Sequence, residues 1–186
     1  MFRHLLYALT LSLVITMTTP SHATSALFVT ETEQAHLSTA VIIGQITHQR
    51  GALHSQWQRP LTMTTVAVEE VLYGTAPREI TIEQVGGTFG DQIMYIPGDA
   101  VLTLGERVVL FVRQIDDNWY LTALQQSQYH IEDSPHGTRL VREMDNHGLF
   151  VRGQANELIP YQAPLIKPIL TLRDLRDLLK VAGETR

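Results

Sequence analysis

The chain has 186 residues, with 14 basic against 19 acidic, a formal net charge of −5 and no Cys. A chain of this size buries about 70% of its unfolded surface as one domain, so core packing alone can hold it together. An acidic balance without a Lys/Arg run speaks against nucleic acid or an anionic membrane surface as partner, and the lack of Cys excludes a disulfide framework.

Residues 1–23 read as a cleavable secretory signal. Arg3 and His4 make a short basic start, Leu5 to Met17 is an uncharged apolar stretch, and Ser21-His22-Ala23 supplies small residues at the −3 and −1 positions of a cleavage site. As a helix the apolar stretch spans roughly 20 Å, short of the roughly 30 Å of a hydrocarbon core. The expectation is a chain that begins near Thr24, works in the periplasm or beyond, and has no stable membrane insertion. Its partners would then be extracytoplasmic.

Thr30 to Leu37 reads as a short helix, with Thr30 as cap and Glu33 at the capping-box position. Ala40 to Gln49 is an apolar, β-branched strand, and Gly44 inside it signals a bulge or a close backbone approach. Residues 51–60 form a polar loop. Leu61 to Leu72 is a long alternating strand whose phase slips at Glu69-Glu70, as a β-bulge requires. Glu79 to Gln84 alternates cleanly, with Ile80 and Ile82 inward. Gly86 to Gly90 is a glycine-rich loop that reads as a tight corner, since no phosphate-binding pattern or following helix accompanies it. Arg107 to Arg113 carries apolar residues on both faces, which predicts a central strand covered on both sides. Asp116-Asp117-Asn118 turns into a partner strand from Trp119 to Leu124.

Gln128 to Glu132 and Thr138 to Arg142 form a hairpin. Residues 154–170 form a connector containing Pro160, Pro164 and Pro168, and Leu172 to Ala182 is an amphipathic helix capped by Thr171 and ended by Gly183. The predicted fold is mainly β: an antiparallel OB-like barrel at 24–153 with a short N-terminal helix, the connector at 154–170, and a C-terminal amphipathic helix at 171–183 packed on the same domain. A β-sandwich is the alternative.

The runs VAVEEVLYG (66–74), EITIEQVGG (79–87) and LGERVVLFV (104–112), with the closing TLRDLRDLL, resemble a family of small secreted bacterial proteins. That family reads V-x-V-x-x-V-L-x-G, then a strand ending in P-G-G, then G-E-x-V-L-x-F; here Val85 stands where it has Pro. The family carries no assigned activity, so the resemblance implies no catalytic residues and no cofactor. At fold level it is similar to the OB-like barrel of netrin-type modules and tissue inhibitors of metalloproteinases, which points to an exported protease as partner. Those domains rely on disulfides, which this chain lacks.

Two groups of residues stand out. Trp57 and Arg59 in the 51–60 loop, with Phe89 in the glycine-rich loop, suit an exposed protein contact, because Trp and Arg are enriched at binding hot spots; Trp57 folded back over a barrel end is the rival reading. His130, Glu132 and His136, with Asp145 and His147 later, are the densest set of metal-ligand types, and His130 and Glu132 share a strand face. Zinc suits mixed N and O ligands. The adjacent acids Glu69-Glu70 and Asp116-Asp117 point to opposite faces or sit in a turn, so neither pair makes a two-carboxylate site. Three functions stay open: a non-enzymatic protein-binding module, such as an inhibitor or accessory of an exported protease; a metal-dependent hydrolase centred on the 130–136 hairpin; and an envelope-assembly component.

Overall fold

The computed structural model describes residues 26–134, 137–144, 149–162 and 170–184. The expected signal at 1–23, His136, Asp145, His147 and residues 163–169 of the expected connector lie outside them.

Two long strands dominate: β2 (Ala40–Leu53) and β3 (Pro60–Gly74), following β1 (Ala26–Leu27) and α1 (Glu31–Leu37). Helix α1 begins as the residues dictate. Thr30 Oγ1 accepts from the Glu33 N–H, and Glu33 Oε2 accepts from the Thr30 N–H at 2.9 Å. The β2–β3 register shifts three times. Two of the shifts leave Glu69 and Leu72 of β3 as extra residues, and the first of these sits at the predicted slip. Gly44 is also a point of close approach: a Cβ there would lie 2.6 Å from Val66 Cγ1 and 2.8 Å from the Ala67 carbonyl oxygen. β2 runs on to Leu53 and β3 starts at Pro60, so the polar loop is shorter than 51–60.

β3 pairs with β4 (Glu79–Val85), and β2 pairs on its other side with β7 (Arg107–Ile115). One edge of β7 is shared. Its residues 112–115 pair with β8 (Asn118–Leu121), while 108–110 pair with β9 (Gln128–Ser134). β8 also touches β4 through the single parallel pair Ile82↔Trp119. The pairings therefore run β7-β2-β3-β4-β8 and back to β7, a barrel-like ring of five strands that is not formally closed. This is the predicted barrel and not the sandwich. Past the fork the sheet continues through β9 to β10 (Gly137–Val141) and β13 (Leu170–Thr171).

Because β2 and β7 are central, they have a core on each face. Ile42, Ile46, Val108, Leu110 and Val112 point into the ring with Val66, Ile80, Ile82 and Trp119. Val41, Ile43, Val109 and Phe111 point outward and are covered by α1 and by α2 (Leu172–Glu184), through Ala35, Leu175, Leu179 and Ala182. Spacing by four and then three puts the three α2 residues on one stripe. Asp174 and Thr171 cap α2 reciprocally, and the helix runs one residue past Gly183, within the usual fraying of a helix end. Arg176 holds Glu70 at 2.8 Å, and Arg107 holds Glu69 at 2.6 Å, so each of the two adjacent acids has its own cation.

Several elements depart from expectation. The glycine-rich loop is a hairpin, β5 (Gly87–Phe89) with β6 (Gln92–Met94). Leu124 leaves the strand at a positive φ of 51° and opens a 3-10 turn, Leu124–Ser127. Within the expected connector, β12 (Leu158–Pro160) pairs with β11 (Leu149–Arg152), which in turn pairs in parallel with β1. The segment from β1 to Val29 is fastened by one buried side chain. Gln126 Nε2 donates to the Leu27 carbonyl and Gln126 Oε1 accepts from the Val29 N–H, both at 2.9 Å, as a neighbouring strand would do.

Candidate functional site

The β4-to-β7 excursion, residues 86–106, crosses the half of β2–β3 that extends beyond β7. Its first part, the β5–β6 hairpin, lies against β2 and β3 so closely that a Cβ on Gly51 would collide with the Thr88 carbonyl oxygen. Thr62 Oγ1 donates to the Gly86 carbonyl at 3.0 Å, and Gly86 and Gly87 take φ values of 111° and 107°, which only glycine adopts without strain. The predicted tight corner is thus real, although it leads into a hairpin.

The second part is held differently. Ala100 and Leu102 turn into the ring core while Val101, 75% exposed, turns out, so the segment alternates like a strand without a strand beside it. Three glutamine side chains take its successive carbonyls. Gln84 Nε2 donates to Ala100 O at 3.0 Å, Gln128 Nε2 to Val101 O at 3.0 Å, and Gln49 Nε2 to Leu102 O at 2.6 Å. Side chains from β4, β9 and β2 thereby satisfy backbone groups that no sheet edge reaches.

Large apolar side chains nevertheless remain outside on this fixed backbone. Ile93 and Tyr95 are each 80% exposed and Phe89 is 41% exposed. At the same end of the barrel the turn between β2 and β3 presents Trp57, 60% exposed, so it does not fold back over the barrel. Its ring stacks on His54 with centroids 4.1 Å apart and planes 9° apart. His54 Nδ1 accepts from the Gln56 and Trp57 N–H groups, both at 3.2 Å, and the Arg59 carbonyl accepts from the His54 N–H at 2.9 Å. The Arg59 side chain is exposed beside them. Trp57, Arg59 and Phe89 thus lie at one end of the molecule. Ile93 and Tyr95, which sequence reading did not single out, belong with them. Their company with Gly86, Gly90 and Asp91 in a short polar, glycine-rich stretch was the signal available.

The second group separates. His130 Nδ1 is hydrogen-bonded to the Glu106 carboxylate across β7 and β9, while Glu132 pairs with Arg139, its cross-strand neighbour, at 3.3 Å. His136 lies outside the described residues. Among the described residues no three His, Asp or Glu side chains come together as a metal would need.

His130 instead lines a groove of about 1040 Å³ between α1, the β9–β10 hairpin and the 96–103 segment. Its walls include Phe28 stacked on Tyr161, with centroids 4.1 Å apart. Arg142, whose guanidinium is mostly buried, lies 5.1 Å from the Tyr129 ring centre and 5.8 Å from that of Phe28, and pairs with Glu31 at 3.1 Å. The Tyr129 hydroxyl donates to Glu31 Oε1 at 2.7 Å, and burial pushes its pKa far above the ordinary phenol range, so the phenol keeps its proton. Asp99 also lines the groove. Burial pushes its carboxyl above the usual 3.8, against the opposing pull of the Ala100 N–H and the Gln84 side chain.

The Asp99 shift has a stability consequence of known sign. A carboxyl raised on folding contributes stability that is present below its unfolded value of about 3.8 and is lost as pH rises through its folded value. Asp99→Asn is therefore expected to match wild type in melting temperature near pH 3.5 and to exceed it at pH 7. Thermal melts of both proteins across that range check it, and a mutant less stable at pH 7 reverses the sign.

The fold is thus mainly β and barrel-like, with exposed apolar side chains grouped at one end. Among known proteins, no family model matches the chain and no curated protein matches it. No helix among the described residues is long and apolar enough to cross a membrane.

Proposed function

We propose that the protein is a non-enzymatic binding module that engages another protein, outside the cytoplasm, through the Trp57 turn and the β5–β6 hairpin. The observation that carries this reading is the rigid exposure of Trp57, Phe89, Ile93 and Tyr95 at one end of the barrel. Exposed apolar side chains grouped on a surface mark contact sites, and aromatic anchors dominate binding energy. A backbone already fixed by the hairpin, the glycine contacts and the glutamine bonds loses little conformational freedom on association, so more of the contact energy appears as affinity. Export through the 1–23 signal restricts the partner to an extracytoplasmic protein. The fold-level likeness to protease-inhibiting barrels makes an exported protease the first partner to test, with this chain as inhibitor or accessory subunit.

The test is a pull-down from periplasm and from culture fluid with wild type and with Trp57→Ala/Phe89→Ala. Both side chains are exposed, so the double variant keeps its circular dichroism and melting temperature. Loss of a specific captured protein in the variant supports the reading. Capture unchanged in the variant rejects this end as the contact, and binding to lipid vesicles in place of protein rejects the class of partner.

A further inference from the structure

We infer that the groove between α1, the β9–β10 hairpin and the 96–103 segment is a binding site for a small protonated amine with an aromatic or apolar body. This does not depend on the barrel-end contact proposed above. At about 1040 Å³ the groove is at the upper end of the range for small-molecule sites. Its charges decide the class of ligand. Arg142 is committed to Glu31 and, at 3.3 Å, to the Gln126 carbonyl. Arg139 is committed to Glu132, and His130 to Glu106. Both arginines are neutralised where they stand, and the His130 ring nitrogen is taken up by the Glu106 carboxylate. Asp99 and Glu143 also line the groove, and among the described residues neither has an ion-pair partner.

Among the described residues the charge left over is thus negative, and it faces aromatic walls. The stacked Phe28–Tyr161 pair and Tyr129 offer π-faces, and Arg142 already lies over two of these three rings. An anion would meet uncompensated carboxylates. A neutral ligand would deepen the desolvation of Asp99 without replacing its lost water. A protonated amine answers both features: the ammonium supplies charge-assisted hydrogen bonds to Asp99, and the body lies against the rings and the apolar side chains of Leu140 and Met144.

Phenethylamine hydrochloride and its uncharged counterpart, phenethyl alcohol, are the probes, titrated into the protein and followed by amide NMR shifts. The expected result is saturable shifts at Phe28, Ala100 and Tyr161 with the amine, and affinity at least about tenfold above that for the alcohol. Asp99→Asn removes most of that preference, and Glu143→Gln, at an exposed side chain whose loss leaves the fold intact, removes part of it. Equal affinity for the two probes overturns the inference. So does a preference that survives in both variants, a set of shifts lying outside the groove, or no saturable shift by about 10 mM amine.

Discussion

Val109→Asp is expected to yield no soluble protein. Val109 is fully buried at the centre of β7, opposite Ile43 on β2 and Tyr129 on β9, under the apolar stripe of α2. A carboxylate there has no cation to meet: the nearest strands present Val, Ile and Phe on that face, and the helix presents Leu175 and Leu179. Burying an unpaired charge costs several kcal/mol, and losses above about 4 kcal/mol approach the whole stability of an ordinary domain of about 5–15 kcal/mol. Ile115→Asp, at an exposed position on the same strand, is the control and should change stability by no more than about 0.5 kcal/mol. Soluble expression and a thermal melt of the two variants make the comparison. A well-folded Val109→Asp would mean that this face of β7 is open and that the helices do not cover it.

Gly51→Ala is expected to leave the fold standing and to remove partner binding. The added methyl would occupy the place of the Thr88 carbonyl oxygen, which is main chain and cannot rotate away. The β5–β6 hairpin must therefore lift off β2. Neither hydrophobic core contains a residue of β5 or β6, so both cores survive, and the loss is of the order of overpacking, about 1–3 kcal/mol. What changes is where Phe89 and Ile93 stand relative to Trp57. Amide shifts confined to residues near 49–53 and 87–94, together with loss of the captured protein, are the expected readout. Thr88 unmoved, or capture undiminished, would separate the hairpin's position from binding.

The parts of the fold legible in the residues were those with a period or a local cap. The slip at Glu69-Glu70 announced the bulge because alternation broke there, and the run Arg107–Arg113 announced a central strand because its inner residues 108–112 are apolar on both faces. Thr30 with Glu33, and Thr171 with Asp174, marked their helices by chemistry that acts over three residues. The hidden parts depend on partners far along the chain. β1 has two residues and pairs with Leu149 and Phe150, which no local pattern can signal. Gln49, Gln84 and Gln128 stand at the ends of expected strands with no local sign of a role, yet they hold the 100–102 segment. The same limit applied to the candidate sites. Trp57 and Phe89 were identifiable by residue type, whereas Asp99 looked like a turn residue and Arg142 like a strand end until the groove placed them together. His130 and Glu132 shared a face as expected, but the neighbouring strands supplied Glu106 and Arg139, and no spacing along β9 could reveal that.

The two-faced burial of β2 also bears on how the chain finds its alignment. In a sheet with one wet face, a slip of one residue exposes the apolar set and is rejected by water. On β2 both sets are apolar, so a slipped pairing would merely exchange the contents of the two cores and solvent would not object. The choice falls to Gly44. Only a residue without Cβ can sit against Val66 and the Ala67 carbonyl, and moving Ile43 or Gln45 into that place would drive a side chain into main chain. One missing methyl group thus acts as the key that selects a single alignment of the longest strand pair in the molecule.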